Sequence, residues 1–305
     1  MEELVALQGD ARHLTLSGSQ AARTPLAGQH RSRFRGRGMD YQESRSYQAG
    51  DDIRNMDWRV TARTDRPHTK LFQEERERPV IVCVDLAPRL FFATRGCLKS
   101  IVAARVATLL GWSAVAHGDR VGALVFNRGN HELKPRAGHR AVLALIQLLV
   151  AKTEPLGGDQ ARSDERGLSA ALARLGRVVR PGSLVFVISD FWLFDAEVAA
   201  QLARLRRHND VVALQIADPI EIDAPPPGRY AIHDADGERV LDLRSARARR
   251  QYEQYFERQR ERLQKALSQI GVPLIRLMTT DRVAPVLQAH FGKRGSGAAA
   301  RSAAG

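Results

Sequence analysis

The stretch PVIVCVDLAP, from Pro79 to Pro88, contains a continuous apolar run rich in β-branched residues that ends at Asp85. Such a run is typical of a strand buried on both faces of a parallel sheet. Similar runs recur at 120–127, 183–190 and 211–219, and apolar-rich helical segments separate them. This alternation predicts an α/β fold with a mostly parallel, doubly wound sheet and helices on both of its faces.

Two of the predicted strands end in aspartate, Asp85 and Asp190. In sheets of this kind ligands bind at the carboxyl ends of the strands, so both carboxylates are expected at the binding edge. Phe191 and Trp192 follow the second strand and are predicted to be exposed aromatic contacts. The predicted binding residues are Asp85, Ala87, Arg89, Gly158, Asp159, Asp190, Phe191 and Trp192.

The segment 41–78 mixes many charged residues with large apolar ones, which suggests a packed polar network. Asp51 and Asp52 follow a turn glycine and predict a helix over residues 50–63. Arginine–carboxylate pairs at helical spacing favour a clasp that fastens this segment to the sheet domain. The rival interpretation is a metal-dependent hydrolase built on Asp51, Asp52 and Asp57. The clasp residues are Tyr47, Gly50, Asp51, Asp52, Arg54, Asp57, Trp58, Arg63 and Glu75.

Residues 47–75, with YQAGDDIRNMDWRVTART and KLFQEE, resemble the signature of the domain of unknown function family 58. Members of that family carry this block directly before a von Willebrand factor A-like domain. The resemblance implies such a domain here, and an adaptor role beside a MoxR-type AAA+ ATPase as partner. No catalytic motif supports an enzyme, so we expect a protein-interaction module without enzymatic activity. The apolar N-terminal helices of many members are missing from this sequence.

The metal-ion-dependent adhesion site of von Willebrand factor A domains begins with Asp-x-Ser-x-Ser at the end of a strand. The matching positions here are Asp85, Ala87 and Arg89, so both serines are replaced, while Asp190 matches the last position of the site. A divalent cation needs several oxygen ligands, and the resemblance therefore implies a degenerate site. No cofactor is expected, with Mg²⁺ at Asp85 and Asp190 as the alternative. Otherwise the two aspartates are structural, and Asp85 pairs with Arg89.

The formal net charge of +13 favours acidic partners. The arginines are mostly interspersed with Asp and Glu, which argues against nucleic acid, although the basic stretch 31–38 and the long C-terminal helix keep that alternative open. Two cysteines are too few for a disulfide framework, and the sequence shows no signal peptide and no apolar stretch of spanning length. We expect a cytoplasmic protein without a transmembrane segment, with peripheral membrane association left open.

The domain prediction has four parts. Residues 1–40 are expected to form a basic, flexible arm, and 41–78 the clasp. Residues 79–291 are expected to form the von Willebrand factor A-like domain, and 292–305 a disordered tail.

Overall fold

A computed structural model describes residues 1–16, 39–48, 56–74, 78–127, 129–153, 167–234 and 237–292. The chain divides into two compact units, one made of Met1–Ala27 with Arg78–Gly305 and the other of Gly28–Glu77. Several predicted site residues lie outside the described residues, namely Gly50, Asp51, Asp52, Arg54, Glu75, Gly158 and Asp159. The predicted tail beyond Gly292 also lies outside them.

Helices and strands alternate through most of the larger unit. In chain order the elements are α1 (Glu2–Ala6), α2 (Gln8–Ala11), β1 (Met39–Ser46), α3 (Trp58–Thr64), β2 (His68–Glu74), β3 (Pro79–Asp85), α4 (Lys99–Ala116), β4 (Arg120–Phe126), β5 (Asn130–Arg136), α5 (His139–Lys152), α6 (Gly167–Val178), β6 (Leu184–Ser189), α7 (Ala196–Arg206), β7 (Asp210–Ala217), β8 (Arg229–Asp234), β9 (Gly237–Asp242), α8 (Ala246–Gln269), β10 (Leu274–Met278) and α9 (Val283–Phe291).

The main sheet of the larger unit has six strands in the order β10-β7-β6-β3-β4-β5. All neighbours are parallel except β5, which runs antiparallel to β4 at one edge. Counted along the chain within this sheet, the order is 3-2-1-4-5-6 from the β5 edge, which is a doubly wound arrangement. The predicted fold class is confirmed. The winding direction reverses between the adjacent strands β3 and β6, and at such a switch point a crevice opens at the carboxyl ends.

The sheet is buried on both faces because successive side chains of a strand point to opposite sides. In β3, Val80, Val82 and Val84 join one apolar cluster, while Ile81 and Cys83 join the cluster on the other face. Full burial of a valine side chain contributes about 1.5 kcal/mol or more. Cys83 is completely buried, and this burial raises the pKa of its thiol, as expected for a small core residue.

The first residues of the chain are packed into the larger unit. Leu4, Leu14 and Leu16 are buried in the cluster that covers α4. The indole N–H of Trp112 donates to the Leu4 carbonyl at 3.3 Å, and the Ser113 hydroxyl donates to the Leu14 carbonyl at 2.9 Å. The flexible-arm prediction is therefore wrong for residues 1–16, because their apolar side chains complete the core. Residues 17–38 lie outside the described residues.

Strand β9 lies outside the main sheet, although its sequence suggests a strand at the edge of that sheet. The sequence RVLDLR predicts an edge strand, but the structure places β9 in a separate two-stranded antiparallel hairpin with β8. Ile232 and Val240, which lie on opposite faces of this hairpin, are both exposed.

Helix α4 has the length and apolar composition of a membrane-crossing helix, and it is the one such helix within the described ranges. In the structure 78% of it is buried inside the larger unit. Its apolar character is thus used in packing against β3, α5 and α2.

The smaller unit contains an antiparallel pair of strands, β1 and β2, and the helix α3. The helix begins at Trp58, because Met56 forms a β-bridge with Thr69 and the Asp57 carboxylate caps the helix. Residues 50–55 of the predicted helix lie outside the described residues. This carboxylate accepts hydrogen bonds from the backbone N–H groups of Arg59 and Val60 at 3.2 and 3.1 Å. Capping of this kind satisfies donors that a helix start leaves unpaired.

Candidate functional site

Asp85 ends β3 at the switch point, and its side chain is completely buried. One carboxylate oxygen accepts the backbone N–H of Ala87 at 2.8 Å. The other accepts the hydroxyl hydrogen of Ser189, the last residue of β6, at 2.7 Å. Because β3 and β6 are neighbours, residues 104 positions apart in the sequence form this contact.

The guanidinium group of Arg89 lies close to both strand-end carboxylates. Arg89 belongs to a short 3₁₀ turn, Pro88–Leu90, that follows β3. Its Nη2 lies 3.7 Å from Asp85 Oδ2 and its Nε lies 3.5 Å from Asp190 Oδ2. The ion pair between Asp85 and Arg89 that the sequence suggests is present, and the same arginine also reaches the second aspartate.

The balance of charge at this site sets the acidity of Asp85. Burial raises the pKa of its carboxyl group to about 6, and the negative charge of Asp190 acts in the same direction. The positive charge of Arg89 and the hydrogen bonds from Ser189 and Ala87 oppose this rise. Arg89 therefore favours the ionised form of Asp85 and counteracts the effect of burial on its pKa.

Two buried donors of Arg89, Nε and Nη1, have no hydrogen-bond acceptor within the described residues. A guanidinium group carries five N–H donors and can bind a carboxylate through two of them at once. The side chain as a whole is 20% exposed, although these two nitrogen atoms are buried. Nη1 is therefore the donor that Arg89 does not use in its contacts with Asp85 and Asp190.

The described side chains do not fit a divalent cation. Ala87 offers no side-chain oxygen, and a positive charge already lies between Asp85 and Asp190. The described part of the chain contains no group of three or more His, Cys, Asp and Glu side chains that could hold a metal. Such ions require about six oxygen ligands at short distances. The predicted loop residue Asp159 lies outside these ranges.

The residues that follow β6 differ from each other in exposure. Phe191 adopts a left-handed backbone conformation with φ of 54°, and its ring is buried beside Phe194. The prediction that Phe191 is an exposed contact is wrong, because this turn directs the ring into the core. Trp192 is 45% exposed, and its backbone N–H donates to the Asp190 carboxylate at 3.0 Å.

A third strand-end aspartate, Asp218, was missed in the sequence, although VVALQIADP shows the same signal. Its buried carboxylate accepts the hydroxyl of Thr279 at 2.8 Å, and the backbone N–H and hydroxyl of Thr94. Burial alone would raise its pKa, but the hydrogen bonds from Thr94 and Thr279 outweigh burial and lower it. Both oxygens are engaged, so we assign Asp218 to holding its loops together.

The clasp residues that the structure describes are Tyr47, Asp57, Trp58 and Arg63, and all belong to the smaller unit. Asp57 is buried, whereas Trp58 is 66% exposed and Arg63 is also exposed. The use of the Asp57 carboxylate as a helix cap favours a structural role for it over the hydrolase interpretation. Attachment of this segment to the sheet domain stays a prediction.

The model of the family described as "Protein of unknown function DUF58" matches residues 43–262, and the chain belongs to this family. The uncharacterized protein Rv1480 of Mycobacterium tuberculosis is 29% identical over 270 residues, covering 88% of this chain and 83% of the relative. The uncharacterized protein Mb1516 of Mycobacterium bovis shows the same identity and coverage.

Similar solved structures include an aerotolerance-related membrane protein from Bacteroides fragilis, with 16% identity and a TM-score of 0.45. That comparison covers 70% of this chain and 96% of the other. A von Willebrand factor type A protein from Catenulispora acidiphila has 12% identity and a TM-score of 0.36, with coverage of 73% and 42%. These values are too low to carry a functional argument, and the fold assignment rests on the strand order described above.

Proposed function

We propose that this family member is a non-enzymatic interaction module that docks on a MoxR-type AAA+ ATPase through the carboxyl edge of its main sheet. One observation carries the proposal: the Arg89 guanidinium lies between Asp85 and Asp190 at the switch point. A crevice at this position is where doubly wound sheets bind ligands. Arg89 supplies positive charge where the adhesion site would hold a metal ion, so the edge can bind a polar group of the partner without a bound metal.

The arrangement at the edge supports binding over catalysis. Both carboxylates form ion pairs with the one Arg89 guanidinium, and the Asp85 oxygens accept hydrogen bonds from Ala87 and Ser189. A hydrolytic base would need a carboxylate or imidazole free to take a proton from water. The degenerate adhesion site is thus proposed to act through hydrogen bonds and charge. The two free cysteines support a cytoplasmic location.

A pull-down tests the proposal. The immobilised full chain is incubated with a purified MoxR-type ATPase from the same genome, with and without ATP. We expect capture in at least one nucleotide state, and loss of capture with Arg89→Gln. Trp192→Ala changes an exposed side chain at the same edge and should weaken capture without affecting the core.

The matched control is Arg174→Gln, which removes an exposed ion pair between α6 and β5. Exposed pairs contribute about 0–1 kcal/mol, so this variant should fold and bind normally. Circular dichroism confirms that each variant is folded before it is compared. Absence of capture in both nucleotide states, or equal capture by folded Arg89→Gln and Trp192→Ala variants, would overturn the proposal.

A further inference from the structure

A second feature of the carboxyl edge is a pocket between α8 and the ends of β6, β7 and β10. Its volume is about 100 Å³. Pockets for whole small-molecule ligands usually measure about 300–1,000 Å³, so this one suits a single side chain or a small fragment.

Two of the three arginines that line this pocket, Arg260 and Arg276, form hydrogen bonds with neutral oxygens. Arg276 donates from Nε to the Gln215 side-chain oxygen at 2.9 Å, and Arg260 donates from Nη1 to the Glu221 carbonyl at 2.5 Å. Neither guanidinium forms an ion pair within the described part of the chain. Burial and the charge of Arg260 lower the pKa of Arg276, as expected for two cations close together.

Two carboxylates and three arginines line this pocket, and each carboxylate already has a cation close to it. Asp190 lies beside Arg89 at 3.5 Å, and Glu221 pairs with the buried Lys99 at 2.5 Å. The pocket therefore carries a surplus of positive charge, which an anionic group would balance.

Aromatic side chains form the apolar wall at the mouth of the pocket. Trp192 packs against Phe256 and Tyr255 of α8, with ring centroids 5.9 and 6.3 Å apart. Trp192 and Tyr255 are 45% and 47% exposed. Exposed tryptophan, tyrosine and arginine side chains are common at the centres of protein interfaces.

We infer that this pocket receives an aspartate or glutamate side chain from an acidic, apolar-flanked segment of a partner protein. The carboxylate would accept hydrogen bonds from Arg276 and Arg260, while a neighbouring apolar side chain packs on Trp192 and Phe256. The inference rests on the proposed function and names the partner chemistry recognised at that edge. Charge complementarity and the small volume favour a side chain over a nucleotide.

The test uses 3-phenylpropionate, which joins a carboxylate to an aromatic ring, and its neutral amide, 3-phenylpropanamide. The full chain is labelled with ¹⁵N, and the indole signal of Trp192 is assigned with the Trp192→Phe variant. We expect saturable movement of this signal with the carboxylate and little movement with the amide. Arg276→Gln and Arg260→Gln should each weaken binding by about tenfold or more, since each removes a charged donor.

The control is Arg250→Gln, an exposed arginine on the same helix that does not line the pocket. It should bind like the unaltered protein. Equal responses to the acid and the amide, or unchanged affinity in folded Arg276→Gln and Arg260→Gln variants, would overturn the inference. The inference would also be overturned if a single-stranded DNA oligonucleotide moves the Trp192 signal and the carboxylate does not.

The fragment titration needs no partner protein, so its outcome is separate from that of the pull-down. Carboxylate binding without capture of an ATPase would refute the proposed partner alone. Capture that depends on Arg89 but is unchanged in Arg276→Gln would refute the pocket's role alone.

Discussion

Replacing Arg89 by methionine should destabilise the larger unit in a way that depends on pH. Methionine keeps much of the length of the side chain and removes its charge. Two buried or nearly buried carboxylates, Asp85 and Asp190, then lose the cation that lies 3.7 and 3.5 Å away. Like charges left together in a buried site cannot both stay ionised without a cost.

The magnitude follows from these distances. A unit charge pair at 3.7 Å in an effective dielectric constant of about 20 is worth roughly 4.5 kcal/mol. Removal of one partner of a buried ion pair typically costs about 3–5 kcal/mol. We therefore expect Arg89→Met to lower the free energy of unfolding by about 4 kcal/mol at pH values near 8.

The sign of the pH dependence comes from Asp85. Its pKa in the folded protein is about 6, above the ordinary 3.8, so folding favours the protonated form. This contribution to stability is complete at pH values below the pKa of Asp85 in the unfolded chain. It is lost as the pH rises through the pKa of Asp85 in the folded protein. Without Arg89 the pKa of Asp85 in the folded protein rises further, because the cation that lowers it is gone. The variant therefore goes on losing stability up to a higher pH than the unaltered protein. The difference between variant and unaltered protein should thus shrink to about 1–2 kcal/mol near pH 5.

Urea unfolding followed by circular dichroism, at both pH values, measures the two differences. The double variant Asp85→Asn with Arg89→Met should recover much of the stability near pH 8, because the buried charge is gone. Arg174→Met, which removes an exposed pair, should show little change at either pH. A difference of the same size at both pH values would refute the reasoning, as would a double variant no more stable than Arg89→Met.

Three further predictions concern the metal, the helix cap and one glycine. Millimolar Mg²⁺ or Mn²⁺ should leave the melting temperature unchanged, and a rise that Asp85→Asn abolishes would restore the metal site. Asp57→Ala should cost about 0.5–2 kcal/mol of stability in urea unfolding, because it removes the cap of α3; Asp57→Asn should retain most of it, and equal losses would contradict the capping role. Gly96→Ala should lower the melting temperature far more than Gly118→Ala. Both glycines have positive φ, but only at Gly96 would the added Cβ atom lie 2.1 Å from the Thr279 carbonyl oxygen. Similar losses in the two variants would show that backbone strain alone determines the effect.

Local patterns in the chain were enough to predict the elements of the main sheet. The run around Val80–Val84 can only be buried if helices cover both faces of its strand, and the next strand, β4, lies within the predicted run at 120–127. Prediction was weaker where short segments depend on distant packing. Residues 1–16 show little periodicity, and their burial depends on Trp112 and Ser113 of α4.

The candidate site shows the same division. Strand-end aspartates could be recognised because each follows an apolar run, and Asp218 could have been found by the same rule. The exposure of Trp192 and the burial of Phe191 could not be recognised from the sequence. The left-handed backbone conformation of Phe191 determines which of the two rings points into the core. Alternating side-chain direction does not extend beyond the last residue of a strand.

The sequence by itself determined that strands and helices alternate and that aspartates end the strands, because buried apolar runs and their boundaries are local properties. Only the tertiary structure decided that Arg89 lies between Asp85 and Asp190, and that Arg260 and Arg276 line one pocket. Those contacts depend on which strands become neighbours. In a parallel sheet that choice is made between segments far apart in the chain, so no local pattern contains it.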